Sequence, residues 1–171
     1  MVFSRIGRWV LVGVVATLGK TSILYKMDIY FYLHFQYNAW CILALIGILF
    51  YFFEKQNLLP QKGHFRTFFF LLNSGIILSF FLSVLWVEPH WIFYVLAAAG
   101  AILQVAAFYK FFRIIKSIWR DSKFSLPSFP KLLLKVSGLL LLVKILLQLF
   151  SAIPYFAELA FTYTDFVIGY L

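Results

Sequence analysis

Acidic residues and cysteine are both scarce in this chain, and each shortage removes a class of protein. There are 6 Asp and Glu against 15 Lys and Arg, and only 12% of 171 residues are charged. A soluble domain clothes its exterior with about 25% charged residues, so water is excluded as the solvent for most of this surface. The single cysteine, Cys41, rules out an intramolecular disulfide and any CxxC metal or redox pair. No GxGxxG, P-loop, HExxH or GxSxG run occurs, so soluble-type nucleotide or hydrolase chemistry has no support. No small-residue cleavage site lies between Arg8 and Lys20, so the first apolar helix is expected to be retained rather than removed as a leader.

What is abundant is apolar. Hydrophobic residues make up 64% and aromatics 22%, mostly Phe, and the mean hydropathy is +0.94. A folded chain of this length needs lipid against such a surface. The net charge of +9 would suggest phosphate binding in a soluble protein. Here the basic residues flank apolar runs, where membrane orientation and anionic headgroups account for them better than nucleic acid does.

The apolar runs predict an all-α polytopic transmembrane bundle in one domain over residues 1–171, with about five spans. Segment one runs from Trp9 to about Tyr25 and carries Lys20. Segment two is Ile29 to Phe53, segment three Thr67 to Val87, and segment four Trp91 to Tyr109. Segment four is expected to continue to Trp119 as an amphipathic extension near the headgroups, with basic and apolar residues alternating at helical spacing. The turn-rich stretch Ser125 to Pro130 precedes segment five, Leu132 to about Phe156. Thr162 to Leu171 reads as the start of a sixth helix, which makes the chain part of a larger bundle, with a tail packed on the interface as the alternative.

The basic residues alternate by side across these segments. Arg5 and Arg8, then Lys55, Lys62 and Arg66, then the cluster from Lys110 to Lys135 place twelve of the fifteen on one side. That side is expected to be cytoplasmic, with the N-terminus inside a bacterial inner membrane. Asp28, His34, Gln36, Asn38, Glu88, His90, Glu158 and Asp165 gather toward the opposite face.

The densest polar signal is Tyr30 to Cys41, at the outer start of segment two. His, Gln and Asn are costly in hydrocarbon without partners, so His34, Gln36 and Asn38 are functional candidates. Helical spacing puts His34, Asn38 and Cys41 on one stripe and Gln36 and Trp40 on another. A neutral imidazole there suits a metal or haem ligand or a proton carrier; the plain alternative is a histidine hydrogen-bonded to a neighbouring helix. His90 is the other outer histidine and a candidate second metal ligand, while His64 lies in the basic loop as a headgroup contact. Lys144 and Gln148 sit one turn apart in segment five. Gln104, Asn73 and Ser74 are candidate partners for the intramembrane lysine, whose alternative is to snorkel to the interface. Ala97 to Ala101 offers a small-residue surface for close helix packing.

The motif Tyr32-Leu33-His34-Phe35-Gln36-Tyr37-Asn38-Ala39-Trp40 resembles a bacterial family of polytopic membrane proteins distantly similar to haem-copper oxidase subunit I and to NnrS. Glu88-Pro89-His90-Trp91 and Asp165 to Leu171 extend the resemblance. It implies a role linked to respiration or nitric-oxide response, with His34 as candidate haem or metal ligand and a second ligand from His90, a partner subunit or a continuation of the chain. The paired histidines and multi-histidine copper centre of the oxidases are missing, so oxygen reduction by this chain alone is not implied. Two further readings stand beside this one. One is a small transporter or channel-like bundle using Gln104, Lys144, Gln148 and the outer polar cluster; the other is a structural or assembly subunit whose basic loops meet a partner or anionic lipid.

Overall fold

The computed structural model describes residues 2–58, 60, 62–87, 90–121, 128–153 and 155. Every element among them is helical. Helix α1 (Val2–Leu18) leads through a tight turn into α2 (Ile23–Lys55). Helix α3 (Lys62–Ser79) continues as a 3₁₀ segment, Phe80–Val87. Helices α4 (Trp91–Asp121) and α5 (Ser128–Ser151) complete the described chain.

Four of these helices are long and apolar enough to cross a bilayer, while the apolar part of α1, Trp9–Leu18, is shorter. Outward-facing side chains carry the same message. Trp9, Leu45, Ile48, Phe70, Leu139 and Leu140 are all more than half exposed, a surface that lipid tolerates and water does not. The chain is a multi-pass membrane protein.

Local chemistry sets where the helices begin and end, and it moves several boundaries. Segment one does not run to Tyr25. Gly19 takes a positive φ of 76°, which glycine adopts without steric cost, and the Ser22 hydroxyl then caps α2 by accepting from the Tyr25 amide at 3.2 Å. Lys20 therefore sits in a turn, and Asp28 lies inside α2 instead of in a loop. At the far end of α2, Asn57 takes a φ of 56°. The Leu58 amide reaches Phe53 O at 2.9 Å and the Asn57 amide reaches Glu54 O at 3.0 Å, a left-handed C-terminal cap that satisfies the last carbonyls. The 33 residues of α2 cover about 50 Å at 1.5 Å each, well beyond a hydrocarbon core of about 30 Å.

Helices α3 and α4 form the tightest pair because glycine lets their backbones meet. A Cβ built on Gly100 would lie 2.3 Å from the Ser79 amide nitrogen, and one on Gly75 would lie 2.8 Å from Gln104 Cγ. Ala97 and Ala101 are fully buried beside them, as the small-residue run predicts. Toward the basic end Phe50, Phe53, Phe68 and Phe111 interlock, with ring centroids 5.5 Å apart for Phe68 and Phe111. This packing alters the reading of the α4 extension. It runs on as the same helix, and its apolar stripe, Phe111, Ile114 and Ile118, is buried in the core rather than laid along the headgroups.

Candidate functional site

The site begins with two departures from α-helical winding. In α2 the residues Phe35–Cys41 wind as a π-helix, with α-helix on both sides. In the next hairpin α3 tightens after Ser79 into eight residues of 3₁₀-helix, where runs beyond three or four are uncommon. Ile76 lies in the last α turn before that change, where carbonyls lose their usual partner four residues on.

His34 closes this gap. Its Nε2 donates to Ile76 O at 2.9 Å. The carbonyl is acceptor-only, so Nε2 carries the proton and Nδ1 is left as an acceptor. The Asn38 amide nitrogen donates to that Nδ1 at 3.3 Å. The same Ile76 carbonyl accepts from the Ser79 hydroxyl at 3.1 Å, and the Gln104 side-chain amide donates to Ser79 Oγ at 2.6 Å. One unbroken chain of hydrogen bonds thus runs from α2 through α3 to α4, and each donor in it meets an acceptor.

Aromatic rings seal the chain. Phe35 and Phe80 meet the His34 ring at 5.2 and 5.8 Å, and Phe31 joins Phe80 at 5.2 Å. His34 is left 3% exposed. An imidazole packed this way holds a fixed ring plane and tautomer.

Of the other sequence candidates, Asn38 and Gln104 join this chain and are buried, whereas Gln36 is half-buried on another side of α2. Lys144, on α5, is half-buried. Gln148, one turn on, is buried. Asn73 and Ser74 take no part: Asn73 bonds back to Phe69 O at 2.7 Å, and Ser74 is exposed. His90 is exposed at the start of α4 with its ring 5.6 Å from Trp91, and its carbonyl accepts from the Phe93 amide. His64 is also exposed. Asp28 is buried in α2, and its Oδ2 has no hydrogen-bond partner among the described residues. Glu88, Glu158, Asp165 and the expected start of a sixth helix lie outside the described residues.

Sequence reasoning missed Ser79 and the Ile76 carbonyl. A serine eight residues before the end of an apolar run carries no pattern of its own, and a main-chain acceptor carries none at all. Ser79 becomes visible only where Gly100 lets α4 bring Gln104 to it, and the Ile76 carbonyl only where α2 brings His34.

The donor set bears on haem. Both ring nitrogens of His34 are engaged inside the protein, so ligation requires one bond to open, and Nδ1 has the longer of the two. No group of three or more His, Cys, Asp or Glu side chains converges among the described residues. The fold and site together define a polytopic α-helical membrane bundle with a buried polar network between three spans. No protein-family model, curated protein or solved structure matches the chain, so the site's own geometry carries the functional reading.

Proposed function

We propose that this protein is a small transporter-like bundle that handles a polar solute or a proton at the site around His34. The observation that carries the reading is the His34 Nε2 bond to Ile76 O, which joins the residue just before a π-wound stretch of one span to the last α turn before the 3₁₀ continuation of another. Single π turns concentrate at functional sites, and irregular backbone at membrane depth is a feature of transport sites. Ionisable side chains inside spans mark solute and proton pathways. The Ser79 proton is committed to Ile76 O, but the Asn38 and Gln104 amides each have a second N–H beyond the bond described, and with the Lys144 ammonium they favour an anion or an acceptor-rich solute.

Thermal unfolding of the purified protein against a panel of small carboxylates and phosphates tests this reading. Stabilisation by one of them that is lost in both Lys144→Met and His34→Ala supports it, and a ligand shift indifferent to both changes overturns it. The basic side is the cytoplasmic one in this reading, and the membrane a bacterial inner membrane, by the positive-inside bias.

Haem ligation by His34, in a respiratory or nitric-oxide-linked protein, is the second reading. What favours it is the 3.3 Å contact at Nδ1, the weaker of the two ring bonds. An optical spectrum decides: a Soret band abolished by His34→Ala supports it, and a band unchanged by that substitution removes it.

A further inference from the structure

Between α3 and α4, on the face that holds Ser74, lies an open groove of about 460 Å³ lined by Arg66, Thr67, Phe70, Leu71, Ser74 and Leu103. From these residues we infer that it is a binding site for one anionic phospholipid, with an acyl chain along the groove and the phosphate at Arg66.

Dimensions and charge argue for this occupant. Arg66 and Ser74 are eight residues apart on one helix, about 12 Å at 1.5 Å per residue, close to the roughly 15 Å depth of one leaflet. The groove's inner end stops at Ser74, beside the Gly75 contact where the α3 and α4 backbones close. Its walls are apolar, through Phe70, Leu71 and Leu103. Its mouth carries a guanidinium, held 5.6 Å from the Phe70 ring, and no carboxylate lines it. The Thr67 hydroxyl donates to Gly63 O at 2.9 Å, so its proton is already committed and recognition falls to Arg66. A guanidinium presents a planar fork of donors that matches phosphate oxygens two at a time. Lys62 lies one turn earlier on the same helix, about 6 Å further out along its axis, and adds positive charge beyond the mouth. An uncharged or zwitterionic lipid fits the apolar walls equally well, and the guanidinium is what selects the anionic headgroup.

The test uses the full chain purified in a mild detergent, titrated with phosphatidylglycerol, with phosphatidylcholine and with inorganic phosphate, following thermal unfolding and native mass spectra. The wild type is expected to unfold several degrees higher with phosphatidylglycerol than with phosphatidylcholine and to retain one phosphatidylglycerol in the spectrum. Arg66→Gln is expected to weaken that binding about fivefold, the effect of one basic residue at an anionic surface. Lys116→Gln, exposed on α4 outside the groove, is expected to leave it intact. Ser74→Phe fills the groove from a different position and is expected to remove the retained lipid, so the proposal stays testable where Arg66→Gln folds poorly. A phosphatidylglycerol preference that survives both Arg66→Gln and Ser74→Phe overturns the site, as does an equal shift from inorganic phosphate alone.

Discussion

His34 Nε2 lies 2.9 Å from the main-chain oxygen of Ile76, 42 positions along the chain. The contact ties the residue just before the π-wound part of α2 to the last α turn before α3 changes to 3₁₀ winding, so the two irregular stretches begin beside one another. An irregular helix inside lipid must have its freed carbonyls met by protein, and here one imidazole and one serine meet the same carbonyl.

Truncating His34 removes that donor and leaves a void among Phe31, Phe35 and Phe80. His34→Ala is expected to destabilise the fold by about 2–4 kcal/mol, the range for emptying a packed core position. His34→Gln keeps an amide donor and is expected to cost less. Thermal or denaturant unfolding in detergent compares them, and equal losses in the two variants count against the hydrogen bond as the important part.

The glycines of the α3 and α4 pair are expected to differ sharply from others. Gly100→Ala places a methyl 2.3 Å from the Ser79 amide nitrogen, which only separation of the two backbones relieves. It is expected to cost about 3 kcal/mol or the folded yield outright. On α5 the nearest atom to a Cβ at Gly138 is 3.7 Å away, on the Phe112 ring, and Gly138→Ala is expected to be neutral or slightly stabilising because alanine is the better helix former. Expression yield and monodispersity of both variants check the contrast; a tolerated Gly100→Ala refutes the close approach.

Ser79 and Gln104 form the last link of the polar chain. Ser79→Ala leaves the Gln104 amide without its acceptor at 2.6 Å and is expected to cost about 1–2 kcal/mol. Combining it with Gln104→Leu removes both polar partners, and the double variant is expected to be less destabilised than the sum of the two single ones. Strict additivity in this double-mutant cycle shows that the two side chains do not interact.

The charge asymmetry predicts sidedness directly. In a Cys41→Ser background, Lys62→Cys is expected to resist a membrane-impermeant maleimide added to intact cells, and His90→Cys is expected to react. The reverse pattern inverts the topology drawn from the basic loops.

Much of the architecture was legible in the chain because hydropathy is a one-dimensional signal. A run near 20 apolar residues has to be a helix in lipid, where each backbone group needs an internal partner. The start of α4 after His90, the small residues of α4 and the polar character of His34, Asn38 and Gln104 within apolar runs were all readable in this way. Helix ends were less so. The turn at Gly19 cuts a run that hydropathy alone carries on to Tyr25, since the cause is a local backbone angle and a serine cap rather than polarity.

The partners of the polar residues were not readable. Lys144 offered Gln104, Asn73 and Ser74 on equal terms, but which faces meet depends on how α3, α4 and α5 rotate about their axes. Two glycines settle the α3 and α4 pairing by removing the side chains that would hold the backbones apart, and that approach brings Gln104 to Ser79 and leaves Asn73 to its own helix. The order of residues thus decides that this chain lives in a membrane and where it crosses. Three helices packed together decide that a histidine, a serine, two amides and a main-chain carbonyl become one connected group, because hydrogen bonds act over about 3 Å and only tertiary packing brings residues 34, 76, 79 and 104 within that distance.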